Sequence, residues 1–79
     1  NPRPMFYHDW MGSEEIRTLG KDGLHRKISF KGREILAFHS GDFFSSPTPI
    51  EGLIYYPRLD TRRGNTRLQL ILEAIIIEK

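Results

Sequence analysis

Cysteine is missing from this sequence of 79 residues, and its absence excludes disulfide bridges and thiolate metal sites. A chain without cysteine fits a reducing compartment, so we expect a cytoplasmic protein. Long apolar runs are missing too. None approaches the roughly 18 residues that a membrane-spanning helix needs, so no membrane partner is expected. The length suffices for one domain with a modest core.

Residue patterns that support catalysis or metal binding are also missing. The three histidines, His8, His25 and His39, have no spacing typical of metal ligands, and no paired carboxylates accompany them. The glycines are isolated and form no phosphate-binding loop. We therefore expect no catalytic residue, no metal site and no cofactor in this chain.

Positive charge is grouped rather than abundant, since the net charge is only +2. Residues 21–33 contain five Lys and Arg residues and one aspartate, and residues 58–67 contain four arginines and one aspartate. Two basic groups of this kind suit a polyanionic partner. A plain alternative is that they are solvated charges that keep a small domain soluble.

Turn-forming residues divide the chain at short, regular intervals, and the segments between them are rich in Ile, Leu, Phe, Tyr and Thr. This spacing predicts five strands, at residues 13–19, 24–30, 34–39, 50–59 and 66–77. In the last segment the β-branched residues favour strand, although its leucines also fit a helical period.

Five strands in a small basic domain indicate an all-β fold of the OB kind, a closed five-stranded Greek-key barrel. An SH3-like barrel is the nearest alternative. Residues 41–49 leave room for a turn at most. The helix that OB folds usually place between strands three and four is therefore expected to be reduced or absent.

Alternation along each strand assigns side chains to the core or to the outside. Arg67 and Gln69 are predicted to lie outside. Trp10 is expected to pack against a neighbouring domain, and Phe43 and Phe44 to fill the end of the barrel. The side chains predicted to lie in the core include Phe30, Phe38, Leu68, Leu70 and Leu72.

Cations and flat rings occur together on several of these segments, as the binding of single-stranded nucleic acid requires. His25 and Lys27 project from one face of the second strand, and Arg58 follows two tyrosines on the fourth. OB folds bind ligands on the second and third strands and the adjoining loops. The candidate contacts are Lys21, His25, Lys27, Arg33, Arg58, Arg62, Arg63 and Arg67.

Several stretches, taken in order, resemble a known family. Asn1-Pro2-Arg3-Pro4-Met5-Phe6 is similar to the Gly-Asn-Pro-x-Pro-x-Phe junction before the C-terminal OB domain of RecJ, the single-strand-specific DNA exonuclease. Residues 20–28 resemble its Gly-x-x-x-x-His-Leu stretch, and residues 34–38 its Ala-x-Ala-Phe strand. Gly64 and Gln69 keep the spacing of its Gly-x-x-x-x-Gln-Leu ending. Asp60 and Arg62 depart from that pattern, since the family has asparagine and an aromatic residue there.

The resemblance implies that residues 1–12 are a junction from an upstream domain and that residues 13–79 are the OB domain of a longer protein. The parent enzyme would degrade single-stranded DNA from the 5′ end in DNA repair and recombination. Its divalent metal, Mg or Mn, would be held by upstream catalytic domains of the same chain, which are the expected partners together with the DNA. Gln69 is expected to support the sheet through hydrogen bonds.

The alternative function is a small β-barrel that docks a protein partner or a neighbouring domain and binds no nucleic acid. Its support in the sequence is Trp10 and the apolar residues 75–77.

Overall fold

Six strands make up the secondary structure of the computed structural model, which describes residues 3–40 and 49–79. They form one sheet in the order β1-β5-β6-β4-β3-β2, and only the pairing of β4 with β6 is parallel. The all-β prediction is confirmed. The predicted reduction of the OB helix falls on residues 41–48, outside the described residues. The strands are β1 Phe6–Asp9, β2 Glu15–Leu19, β3 His25–Phe30, β4 Arg33–Ala37, β5 Ile50–Arg62 and β6 Asn65–Ile77.

Each of the five predicted strands is present, with small shifts at the ends. The sixth strand is β1, which comes from the stretch assigned to the junction and pairs with β5 from Phe6 opposite Tyr55 to Asp9 opposite Gly52. The domain boundary at residue 12 stays a prediction.

The sheet curls strongly, because rings from strands that are not neighbours meet across its interior. The ring centroids of Phe30 on β3 and Tyr55 on β5 lie 6.2 Å apart in an edge-on arrangement. His8 of β1 stacks on the other side of this group, with its ring centroid 3.6 Å from that of Phe30. Side chains of β1, β3 and β5 therefore share one core.

The hydrogen-bonded ladder stays open between β1 and β2, where a closed barrel was expected. These two edge strands are consecutive in the chain, so residues 10–14 carry the backbone directly from one edge of the sheet to the other. A side-chain contact lies there instead, between His8 of β1 and Glu14 just before β2, with His8 Nε2 2.5 Å from Glu14 Oε2. Both side chains are almost fully buried, with 6% and 1% of their surface exposed.

The core has a fully apolar centre surrounded by partly buried side chains. Trp10, expected to contact a neighbouring domain, packs against this core, and its backbone N–H donates to Glu51 O at 2.9 Å. Leu70 and Leu72 pack there as predicted. The buried residues at the centre are Ile28, Ile35, Ala37, Leu53 and Tyr55.

Two residues predicted to lie in the core are exposed. Leu68 is 67% exposed because it lies opposite Leu59, in a part of the β5–β6 hairpin that reaches past the start of β4. Among the described residues, the pairing of β6 with β4 begins only at Leu70, so no strand covers Leu68. Phe38 is 45% exposed because it follows Ala37, the last residue of β4, and its ring lies beside His25 and Arg58 on the side of the sheet away from the core.

Candidate nucleic-acid interface

The solvent side of β3, β4, β6 and β5 forms one continuous surface, which we call the outer face. Its residues alternate with core residues along each strand, so their side chains point away from the core. The strand register places Lys27 opposite Leu36 and Arg58 opposite Gln69. The outer face comprises His25, Lys27, Leu36, Phe38, Arg58, Arg67 and Gln69.

A cleft of about 380 Å³ lies on the outer face, where β4 runs beside β6. Lys27 and Arg67 both line it, with Leu36 and Gln69 between them. Lys27 Nζ lies 3.3 Å from Glu34 Oε2, an exposed ion pair that a phosphate can replace at little cost. Arg67 forms no ion pair with any described residue. The structure thus brings two of the predicted contacts together in one groove.

Arg58 is held in place on the same surface. Its guanidinium donates to Gln69 Oε1 at 2.9 Å, across the strand pair β5–β6. This bond confirms the predicted supporting role of Gln69. The Arg58 guanidinium has five N–H donors, and the bond to Gln69 uses one of its nitrogens. The other N–H groups are available to a phosphate.

The two tight hairpins carry cations and lie at the same end of the sheet. Parallel pairing of β4 with β6 aligns Ile35 with Leu70, so both strands begin at that end. Lys31 and Arg63 occupy the first turn positions with φ of 47° and 50°, each followed by a glycine with positive φ. Positive φ at both central residues is the type I′ geometry of two-residue hairpins. These turns place Lys31 and Arg63 at the same end of the sheet, which we call the hairpin rim, and the register puts the β5–β6 turn further out than the β3–β4 turn.

The remaining predicted contacts lie at three different places. Arg62 is at the same hairpin rim, with its Nε 3.3 Å from Asp60 Oδ2. Lys21 lies in the turn between β2 and β3, at the opposite end of the outer face. Arg33 points to the other side of the sheet, where its guanidinium donates to the Tyr55 hydroxyl at 3.2 Å. The structure therefore does not bring Arg33 together with Lys27 and Arg67.

His25 and Phe38 meet at the end of the outer face nearest Lys21. Their ring centroids are 5.4 Å apart in an edge-on arrangement, and the Arg58 guanidinium carbon lies 5.8 Å from the centre of the Phe38 ring. Phe38 is the outer-face residue that the sequence prediction misplaced. Its alternation with Leu36 was the available signal, because residues two apart on a strand point the same way.

Histidine and carboxylate side chains do not assemble a metal centre in the part of the chain that the structure describes, where no group of three or more lies together. The His8 ring is hydrogen-bonded to Glu14, and His25 Nδ1 accepts a hydrogen bond from the backbone N–H of His39 at 3.0 Å. No described helix has the length and hydropathy to cross a membrane.

A comparison with protein families finds one match, to the family described as RecJ OB domain, over residues 1–74. The matched range includes β1 and almost all of β6. No curated protein and no solved structure gives a significant match.

Proposed function

This chain belongs to the RecJ OB-domain family, and from that premise we propose that it binds single-stranded DNA along its outer face. In this proposal the strand is held for a RecJ-like 5′ to 3′ exonuclease. The catalytic residues, and the Mg or Mn they use, belong to other domains of that enzyme, in the cytoplasm.

The observation that supports this proposal most directly is the path of positive charge along the outer face. Lys21 lies at one end, Lys27 and Arg67 share the cleft in the middle, and Arg63 lies on the rim at the other end. About nine residues of β6 separate the β5–β6 turn from the position level with the end of β4. At the usual rise per strand residue this is about 30 Å. That length suits the short end of the range of about 4–16 nucleotides bound per OB fold.

The chemistry of the surface fits a single strand better than a duplex. An extended strand offers phosphates to the cations and unpaired bases to the apolar parts of the face, such as Leu36 in the cleft. In a duplex the bases are stacked and paired, so only the phosphates remain for contact. Binding that depends on both kinds of contact therefore favours single-stranded DNA.

We expect the 79-residue chain to bind a 12-nucleotide single strand in a strongly salt-dependent way. The logarithm of the association constant falls with the logarithm of salt by about 0.7 per phosphate contact. Lys27, Arg58, Arg63 and Arg67 thus predict a slope of about −3. Fluorescence anisotropy at several salt concentrations measures it, with a duplex of equal length as the control. An affinity that is absent, or indifferent to salt, would contradict the proposal.

The opposite side of the hairpin favours a second, compatible role, the docking of the catalytic domains. Leu59 and Leu68 lie directly opposite each other and are 68% and 67% exposed. They continue a largely apolar cleft of about 460 Å³, which Arg33 borders. The apolar residues 75–77, cited for docking from the sequence, are paired with β5, and Ile75 packs on the core. The lining residues are Phe6, Arg33, Tyr55, Pro57, Leu68 and Leu70.

We expect the double substitution Leu59→Ser and Leu68→Ser to weaken binding of this chain to separately produced catalytic domains at least 10-fold. Two leucines that become buried in an interface contribute about 1.5–3 kcal/mol each. Leu24→Ser is the matched control, because Leu24 is 43% exposed on another part of the surface. Calorimetry measures both variants, and equal affinities would contradict the docking role.

A further inference from the structure

Phe38 is a large ring exposed on the outer face and surrounded by polar groups. It is 45% exposed, and it lies in the turn that follows β4. The rings of His25 and Phe38 meet at an angle of 75°, and the Arg58 guanidinium carbon lies over the Phe38 ring at 5.8 Å. An isolated exposed apolar residue is ordinary, so the exposure alone decides nothing.

The turn that carries Phe38 is held by three hydrogen bonds. The His39 N–H donates to His25 Nδ1 at 3.0 Å, and the Ser40 N–H donates to Leu24 O at 2.8 Å. The Ser40 hydroxyl donates to Ala37 O at 2.9 Å. His39 itself has a φ of 57°, which a side chain other than glycine rarely adopts. Hydrogen bonds thus anchor the backbone around Phe38, and the residue after it has an uncommon conformation.

A ring carried by an anchored backbone loses less conformational freedom when a flat ligand stacks on it than a ring on an unanchored loop does. Nucleobases have such flat faces, and aromatic side chains on OB folds stack on them with little dependence on base identity. Arg58 lies next to the ring and retains donors for the phosphate of the stacked nucleotide. The Phe38 ring therefore suits the base of a nucleotide, and the Arg58 guanidinium suits its phosphate.

We propose that Phe38 is a stacking site for one unpaired nucleobase, with Arg58 receiving the adjacent phosphate. This inference rests on the proposed binding of single-stranded DNA and adds the position where a base is held. Since only a base that is out of its pair can stack there, the site selects a single strand over a duplex.

The test compares Phe38→Ala and Phe38→Trp with the unchanged chain, using a 12-nucleotide thymidine strand at fixed salt. The alanine variant binds about 10-fold more weakly, within the range found when stacked aromatic residues are truncated. Its salt slope stays the same because no charge is removed. The tryptophan variant keeps its affinity, and its added fluorescence is quenched by the strand. Tyr7→Ala, which truncates a ring of similar exposure (50%) on β1, is the matched control.

A strand with an abasic sugar at each position in turn completes the test. The unchanged chain binds at least one abasic strand about as weakly as Phe38→Ala binds the intact strand, and Phe38→Ala does not distinguish the two. Equal affinity of Phe38→Ala and the unchanged chain, with normal salt dependence, overturns the stacking site and leaves the proposed function standing. Failure of the unchanged chain to bind any strand overturns both.

Discussion

Replacement of Glu14 by alanine is expected to lower the free energy of unfolding by about 1–3 kcal/mol, because the buried His8 ring is left without its hydrogen-bond partner. Glu14 Oε2 accepts hydrogen bonds from the His8 ring and from the Met11 N–H at 2.8 Å. In the variant the His8 ring on β1 and the Met11 N–H in the segment after it both lose this partner. For a domain of ordinary stability, about 5–15 kcal/mol, this is a large share.

Urea unfolding, monitored by circular dichroism, measures the decrease in the free energy of unfolding. Glu15→Ala is the matched control, because the Glu15 side chain is 67% exposed and its only ion pair among the described residues is with Arg17 at 3.4 Å. An exposed pair of that kind contributes about 0–1 kcal/mol. Similar losses for Glu14→Ala and Glu15→Ala would show that the contact between His8 and Glu14 does not stabilise the fold.

The same carboxylate makes stability depend on pH. Burial by itself raises the pKa of Glu14, but the hydrogen bonds from the Met11 N–H and the His8 ring lower it further than burial raises it. The net pKa in the folded chain is therefore below the usual value of about 4.3 for glutamate. A lowered pKa adds stability that is present above the unfolded value and is lost as the pH falls through the folded value. The advantage of the unchanged chain over Glu14→Gln should shrink below about pH 4.3.

Removal of two cations from the hairpin rim and the cleft is expected to weaken DNA binding about 20-fold at 0.1 M salt. The variant is Arg63→Gln with Arg67→Gln, and neither arginine forms an ion pair with a described residue. Each lost phosphate contact reduces the salt slope by about 0.7, so two reduce it by about 1.4.

The control for the arginine pair is Arg3→Gln with Lys79→Gln, which removes the same charge away from the hairpin rim. The Arg3 guanidinium already forms an ion pair with Glu73 at 3.7 Å, and Lys79 follows the end of β6. Anisotropy titrations at matched salt compare the two double variants. Equal loss of affinity in both would mean that net charge, not the position of the arginines, governs binding.

Most strands could be predicted from the sequence because turn residues and alternating apolar residues mark them locally. β1 was missed because Phe6–Asp9 is short and lacks an alternating pattern, and its pairing depends on the distant β5. Alternation also states which side of a strand a residue faces, but not whether another strand covers it. Leu68 is on the core side of β6 and yet exposed for this reason.

The candidate site could be predicted in part. The grouping of the arginines near residues 58–67 is visible in the sequence, and so is the outward direction of Lys27 and Arg67. The meeting of Lys27 with Arg67 depends on the parallel pairing of β4 and β6, which joins residues far apart in the chain. Local pattern does not encode that pairing, nor does it separate Arg33 from the other cations.

The most direct test of the central claim, that the outer face binds single-stranded DNA, is a map of amide chemical shifts during titration with a 12-nucleotide strand. We predict shifts at Lys27, Phe38, Arg58 and Arg67, and none along β1. Shifts confined to β1 and the neighbourhood of Leu59, or no shifts at all, would contradict the claim.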